Sequence, residues 1–258
     1  MKGANHLVLT LLTLFLILSP FAGFFKSYYI PALIIIILGV FIGSLTPDID
    51  KGRESAIFHS SIPGFHGKRF IVTPIFGYVI YYTCYMPIRA VFVMLFGKKI
   101  YAKSGHRELP HSPIGILFIS ALLTFYIWMI CFALSFIPNL SFIYNNIYIW
   151  IFGASFLFGC FMHLIEDTCD KSGIHYFYPF RFSRLRGKIT GDGTDIRPRV
   201  YEIILLISAI AVMTASLTGI FKSIIYAQTA SAALPVIFWI IFMKASGVPA
   251  KRDASVSF

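Results

Sequence analysis

Six long apolar stretches dominate this chain, at about 7–25, 29–46, 113–137, 142–165, 202–220 and 222–243. Each is close to the roughly 20 residues that an α-helix needs to cross about 30 Å of hydrocarbon. Within a bilayer the backbone must satisfy its own hydrogen bonds, so such runs fold as helices. Composition agrees: 57% of the 258 residues are apolar or aromatic and only 13% are charged, whereas soluble domains carry about a quarter charged. Disordered, collagen-like, coiled-coil and disulfide-stapled chains are excluded on the same figures. The four cysteines (Cys84, Cys131, Cys160, Cys169) show no CxxC spacing. The expected fold is therefore all-α, a polytopic membrane helical bundle forming one integral-membrane domain over 1–258. A core occupies 1–200 and a C-terminal helix pair occupies 201–258.

The first stretch follows a single Lys2 and reads as a retained helix, because no small-x-small cleavage site precedes Phe24-Phe25-Lys26. Segment 70–96 is also apolar, but it contains Pro74, Gly77, Pro87 and Arg89. If it crosses, the basic stretches 47–69 and 97–112 face opposite sides; if it dips in or lies at the interface, they share one. Under the second arrangement, with the N-terminus inside, 19 Lys and Arg fall inside against Lys26 and Lys222 outside. That asymmetry matches the positive-inside rule. The expected topology is six spans plus one re-entrant or interfacial segment, in the cell membrane, with both termini cytoplasmic. The net charge of +11 then serves orientation and contact with anionic lipid rather than nucleic-acid binding. Loop 168–201, with Tyr176, Phe177, Tyr178 and Phe180 among its Lys and Arg, suits either the headgroup layer or a solvated basic loop.

Polar residues at the span ends are few, and in this topology they gather at the cytoplasmic boundary. His6 opens the first span, and Asp48 and Asp50 follow the second in Pro47-Asp48-Ile49-Asp50. His106, Arg107 and His111 precede the span at 113, and His163, Glu166 and Asp167 close the next. His163 and Asp167 are four apart, on one helix face, where both can reach a single metal ion. Glu166 points about 100° away, as a general-base candidate. Pro47 disfavours helix at Thr46, leaving Asp48 and Asp50 in a turn where one can bind metal while the other orients it. Ser112-Pro113 reads as an N-cap followed by the first helical residue, which places His111 just outside a helix start. Arg107 has the donor fork for phosphate or carboxylate. Each residue taken alone is as well explained by capping or a surface hydrogen bond. His59, His66 and His175 read as ordinary loop residues.

At these residues the sequence resembles the LexA-regulated, membrane-bound metal-dependent hydrolases, the YdjM-like group. The resemblance rests on His6, Pro47-Asp48-Ile49-Asp50, His106-Arg107 with His111-Ser112, and His163 with Asp167, followed by Gly173 and Pro179-Phe180. It covers about residues 1–200. Asn5 stands where that pattern usually has Thr, Glu108 where it has Gly, and Asp170 where Thr is common. A looser similarity is to helical zinc-dependent phospholipase C and nuclease folds, which implies phosphoester chemistry.

The resemblance implies a metal-dependent hydrolase acting on a lipid or other phosphoester at the cytoplasmic face, with membrane lipids as partners. The expected ligands of a divalent ion (zinc first, then Mn, Fe or Mg) are Asp48, His106, His111, His163 and Asp167, with His6 as ligand or general acid. Asp50 orients or bridges, and Arg107 holds the phosphoryl group. Two other classes compete. A metal-binding transporter would place ionisable residues near mid-membrane, where only Arg89 is found. A non-catalytic regulatory protein would bind no stoichiometric metal.

Overall fold

A computed structural model describes residues 3–58, 72–97, 107, 109–138, 144–181, 183–190 and 194–249. The helices are α1 (Gly3–Leu18), α2 (Ile30–Leu45), α3 (Val72–Val79), α4 (Met86–Phe96), α5 (Pro113–Leu134), α6 (Asn146–Thr168), α7 (Arg197–Leu217) and α8 (Ile224–Ala245). A 3₁₀ turn, Ser19–Phe24, extends α1, and a π turn, Ile80–Tyr85, joins α3 to α4. Among the described residues, seven helical stretches are long and apolar enough to cross a membrane: the six expected and Thr73–Phe96. The molecule is an all-α multi-pass membrane protein. The chain forms two compact units, one of 1–31, 165–173 and 185–258, the other of 32–164 and 174–184.

In the first unit α1 packs with α7 and α8. Between helices in lipid there is little hydrophobic gain, so small residues and interhelical hydrogen bonds provide cohesion. Ser216 Oγ donates to Pro20 O at 2.7 Å and accepts from Gly23 N at 2.9 Å. A Cβ at Gly23 would lie 2.5 Å from Ser216 O, so only glycine permits this approach. Ser231 Oγ donates to Ile17 O, and Trp239 Nε1 donates to Thr13 Oγ1. Tyr201 stacks on Phe242 at 4.1 Å, with Trp239 at their edges.

In the second unit α2 lies against α6. A Cβ at Gly43 would sit 2.1 Å from Phe156 O, and one at Gly159 would sit 2.4 Å from Val40 O. Gly39-x-x-x-Gly43 thus acts as a small-residue contact stripe of the kind that brings membrane helices together. The contact lies just before Pro47 on α2 and four residues before His163 on α6, so it sets the spacing of the polar residues beyond.

Residues 72–96 form continuous helix rather than breaking at their prolines. Pro74 lies in the first turn of α3, where no intrahelical N–H is missed. Pro87 directly follows the π turn, whose wider ring relieves the clash of proline with the preceding turn. Both ends of this rod are held by contacts. At its start, a Cβ at Gly77 would lie 2.8 Å from Ile57 O, and Tyr78 and Tyr81 edge against Phe58. Near its end, Phe92 meets Phe118, five residues into α5, and Phe96 meets Phe180. By length and composition this stretch is long and apolar enough to span, like the six expected helices.

Candidate functional site

In the second unit, three helix ends bring the polar residues together. α2 stops at Leu45, as expected from Pro47 disfavouring helix at Thr46, and Thr46 Oγ1 caps it by donating to Ile42 O at 2.8 Å. Pro47–Glu54 is 3₁₀ on either side of a kink at Gly52 (φ 59°), and Asp48 and Asp50 lie in the turn before that kink, as expected. At the start of α5, Ser112 is the N-cap: its Oγ accepts from Gly115 N at 3.0 Å, with Pro113 as first helical residue. His111 closes the 3₁₀ turn Leu109–His111, directly before that cap. His163 lies in the last turns of α6.

Asp48, His111 and His163 converge, all buried, with one donor atom from each within 4.8 Å of the others. His111 Nε2 stands 3.4 Å from Asp48 Oδ1, and His163 Nε2 stands 3.8 Å from the same oxygen. His163 Nδ1 lies 2.7 Å from Ser44 O. A carbonyl only accepts, so Nδ1 carries the hydrogen and donates it to Ser44 O, which fixes the ring with its Nε2 directed at Asp48. Asp50 Oδ2 lies 3.4 Å from His111 Nδ1 and accepts from the Arg107 backbone N–H at 3.1 Å. Arg107 holds that amide in place with φ of 84°, a left-handed conformation uncommon outside glycine.

Lys51 donates to Asp48 Oδ1 at 2.6 Å. Burial pushes the Asp48 carboxyl up, but the His111 interaction and the charges of His163, His111 and Lys51 outweigh it. Together they hold Asp48 well below the usual carboxylate range.

The first unit holds polar residues of its own. Glu166 is fully buried; its Oε2 lies 2.7 Å from His6 Nδ1 and its Oε1 accepts from Thr10 Oγ1 at 2.9 Å. His6 Nε2 stands 3.5 Å from Asp167 Oδ1. α6 therefore carries polar residues of both units: His163 in the second, Glu166 and Asp167 in the first.

The structure thus groups Asp48, Asp50, His111, His163 and the Arg107 backbone, and it groups His6 with Glu166 and Asp167. His106 lies outside the described residues, as do His59 and His66. Glu166, which spacing alone reads as pointing away on its own, is locked by two partners on α1. Sequence reasoning misses Thr10, although His6/Thr10 have the i,i+4 spacing of side-chain neighbours, whereas Lys51 is a cation near enough in sequence to neutralise Asp48, and it does pair with it. His175 is more than an ordinary loop residue: it is buried and accepts at Nε2 from Arg184 Nε at 2.7 Å.

A buried His–carboxylate cluster at the ends of packed apolar helices defines a class: polytopic membrane proteins with a polar centre able to hold a divalent ion. The particular family follows from the sequence as a whole. A family model described as YdjM inner membrane protein matches residues 1–248, and the chain belongs to that family. The match takes in the C-terminal helix pair as well as the core. No curated protein and no solved structure matches the chain.

Proposed function

We propose that this protein is a membrane-bound metal-dependent hydrolase, acting on a phosphoester at the cytoplasmic face of the membrane. The observation that carries the reading is the spacing around Asp48 Oδ1: 3.4 Å to His111 Nε2 and 3.8 Å to His163 Nε2. These distances exceed ordinary hydrogen bonds of about 2.7–3.2 Å. They approach the edges of about 3.3–3.5 Å that follow for a tetrahedron of nitrogen and oxygen ligands at about 2.0–2.2 Å from zinc. Imidazole and carboxylate suit zinc first, with Mn, Fe or Mg as alternatives. Three protein donors would leave a fourth position open, as catalytic zinc sites do.

Asp48, His111 and His163 would hold the ion. The chemistry supplied there with a divalent ion bound is polarisation of a phosphoryl oxygen and activation of water near neutral pH. Asp50 orients the His111 ring, and the Ser44 carbonyl fixes the His163 tautomer, the supporting roles that tune metal-ligand histidines. We assign Arg107 to the phosphoryl oxygens, on the match of guanidinium to phosphate. His106 is assigned as a further ligand on its motif alone. His6 and Asp167, 3.5 Å apart, keep their assignment as ligand residues, with Glu166 steadying His6 rather than serving as a free base. Lys51 competes for Asp48 and must give up Oδ1 or share the carboxylate when metal binds. The excess of cationic residues on the inner side supports a cytoplasmic site and cytoplasmic termini.

The test is phosphate release from dioleoyl phosphatidic acid by purified protein in nanodiscs, with zinc or manganese added. Turnover in wild type that disappears in Asp48→Asn, in protein that remains folded, is the expected result. Equal turnover in the variant overturns the assignment. Metal uptake by sealed proteoliposomes, without turnover, would point to a transporter instead.

A further inference from the structure

The second unit contains an apolar groove of about 590 Å³ between α5 and α6. Its deeper side is formed by Ser120, Thr124 and Gly153, and exposed Leu117, Phe125 and Trp150 border it. The helices are in close contact at its base, where a Cβ at Gly153 would lie 2.4 Å from Thr124 Oγ1. Ala121 and Ala154, both exposed, leave the groove open on its outer side.

Both helices relate this groove to the Asp48–His111–His163 cluster in the same way. Leu117 comes six residues after His111, and Leu157 comes six residues before His163. At about 1.5 Å per residue, each places the near end of the groove roughly 10 Å from the cluster. From Leu117 to Trp128 the groove then follows α5 for about 16 Å. α5 and α6 are both long and apolar enough to span, so the medium around the groove is hydrocarbon. A water-soluble phosphoester has nothing to place there, whereas a lipid whose headgroup reaches the cluster must put its chain somewhere along these helices.

We propose that the groove seats an acyl chain of the substrate, so that the substrate is a membrane lipid entering sideways from the bilayer. This rests on the hydrolase reading for the headgroup end and adds the substrate class. Ala154→Trp fills the groove, and Ala121→Leu intrudes on it from the other helix with less added bulk. Ile130→Trp, exposed elsewhere on α5, controls for added bulk against lipid.

Delipidated protein is titrated with dioleoyl and dibutyryl phosphatidic acid, bound lipid is counted by native mass spectrometry, and zinc is measured on the same samples. Wild type and Ile130→Trp are expected to bind one dioleoyl lipid. Both groove variants should bind it at least about tenfold more weakly, with zinc content and dibutyryl binding unchanged. Equal dioleoyl binding by all four proteins, with zinc retained, overturns the groove. Groove-dependent lipid binding in wild type that carries no zinc overturns the hydrolase reading instead.

Discussion

Two buried carboxylates, Glu166 and Asp48, each face imidazole, yet the distances from imidazole to carboxylate differ in kind. In the first unit, Glu166 is met by His6 at 2.7 Å and Thr10 at 2.9 Å, which are closed hydrogen bonds. In the second, the imidazole nitrogens stand 3.4 and 3.8 Å from Asp48 Oδ1. Glu166 has both its oxygens committed to His6 and Thr10 and ties α1 to the end of α6. The Asp48 cluster is open: it aims buried polar atoms at a common point while holding them farther apart than ordinary hydrogen bonds, which is the geometry of a site suited to a cation. The chemistry of a buried His–carboxylate group is therefore legible in its distances more than in its composition.

The contrast predicts opposite outcomes for equivalent mutations. Glu166→Ala removes the acceptor from buried His6 and Thr10 and should cost about 3–5 kcal/mol, as for one partner of a buried pair. Denaturant or thermal unfolding in detergent measures it. Asp48→Asn gives up the ion pair with Lys51, should cost less stability than Glu166→Ala because that pair is partly exposed, and should abolish metal binding. A large loss of stability in Asp48→Asn with little in Glu166→Ala would reverse the two roles. Gly43→Leu attacks the spacing of the open cluster indirectly. Its side chain would collide with Phe156 O, where even a Cβ comes within 2.1 Å, costing about 1–3 kcal/mol or more and carrying Asp48 away from His163. A variant that folds with weakened metal binding is expected.

Smaller effects sharpen the comparison. Asp50→Ala loosens the His111 ring and should weaken metal binding by about 10–100-fold, read by competition with a chromophoric chelator. Lys51→Met removes a competing cation from Asp48 and should tighten binding by up to about fivefold, the scale of a partly exposed ion pair. Metal affinity of every form must fall in acid, because imidazole and carboxylate bind metal only when deprotonated.

Outside both groups, Asp195 provides a pH reference. Its Arg197 hydrogen bonds lower its pKa to about 2, below the ordinary value of about 3.9. The pair therefore stabilises the fold above about pH 4 and loses that contribution as pH falls toward 2. Melting temperatures of wild type and Asp195→Asn should differ by a constant amount at neutral pH and converge near pH 2.

Much of the scaffold is legible in the amino-acid sequence alone. The six spans follow from hydrocarbon thickness, and the Ser112 cap with Pro113 follows from the hydrogen-bonding needs of a helix start. The gathering of Asp48, His111 and His163 is readable from their places at helix ends. Other features depend on tertiary context. Pro74 and Pro87 read as breaks, yet a first-turn position and a π turn absorb them. The Gly39/Gly43 stripe resembles ordinary membrane filler along the chain, and only the packing of α6 against it gives it a role. Glu166 and His175 have the same local signatures as exposed residues, and only packing shows them buried. That Glu166 is closed by hydrogen bonds while Asp48 meets its imidazoles at longer range cannot come from spacing along the chain.

The central claim, that the second unit's cluster holds a divalent ion, is tested most directly by metal analysis of purified protein. Wild type is compared with a His111→Ala/His163→Ala variant after equilibration with zinc and removal of excess. The account predicts at least one tightly held ion per wild-type chain, lost in a variant that remains folded. Wild type without metal, or a variant retaining the full wild-type content, would contradict it.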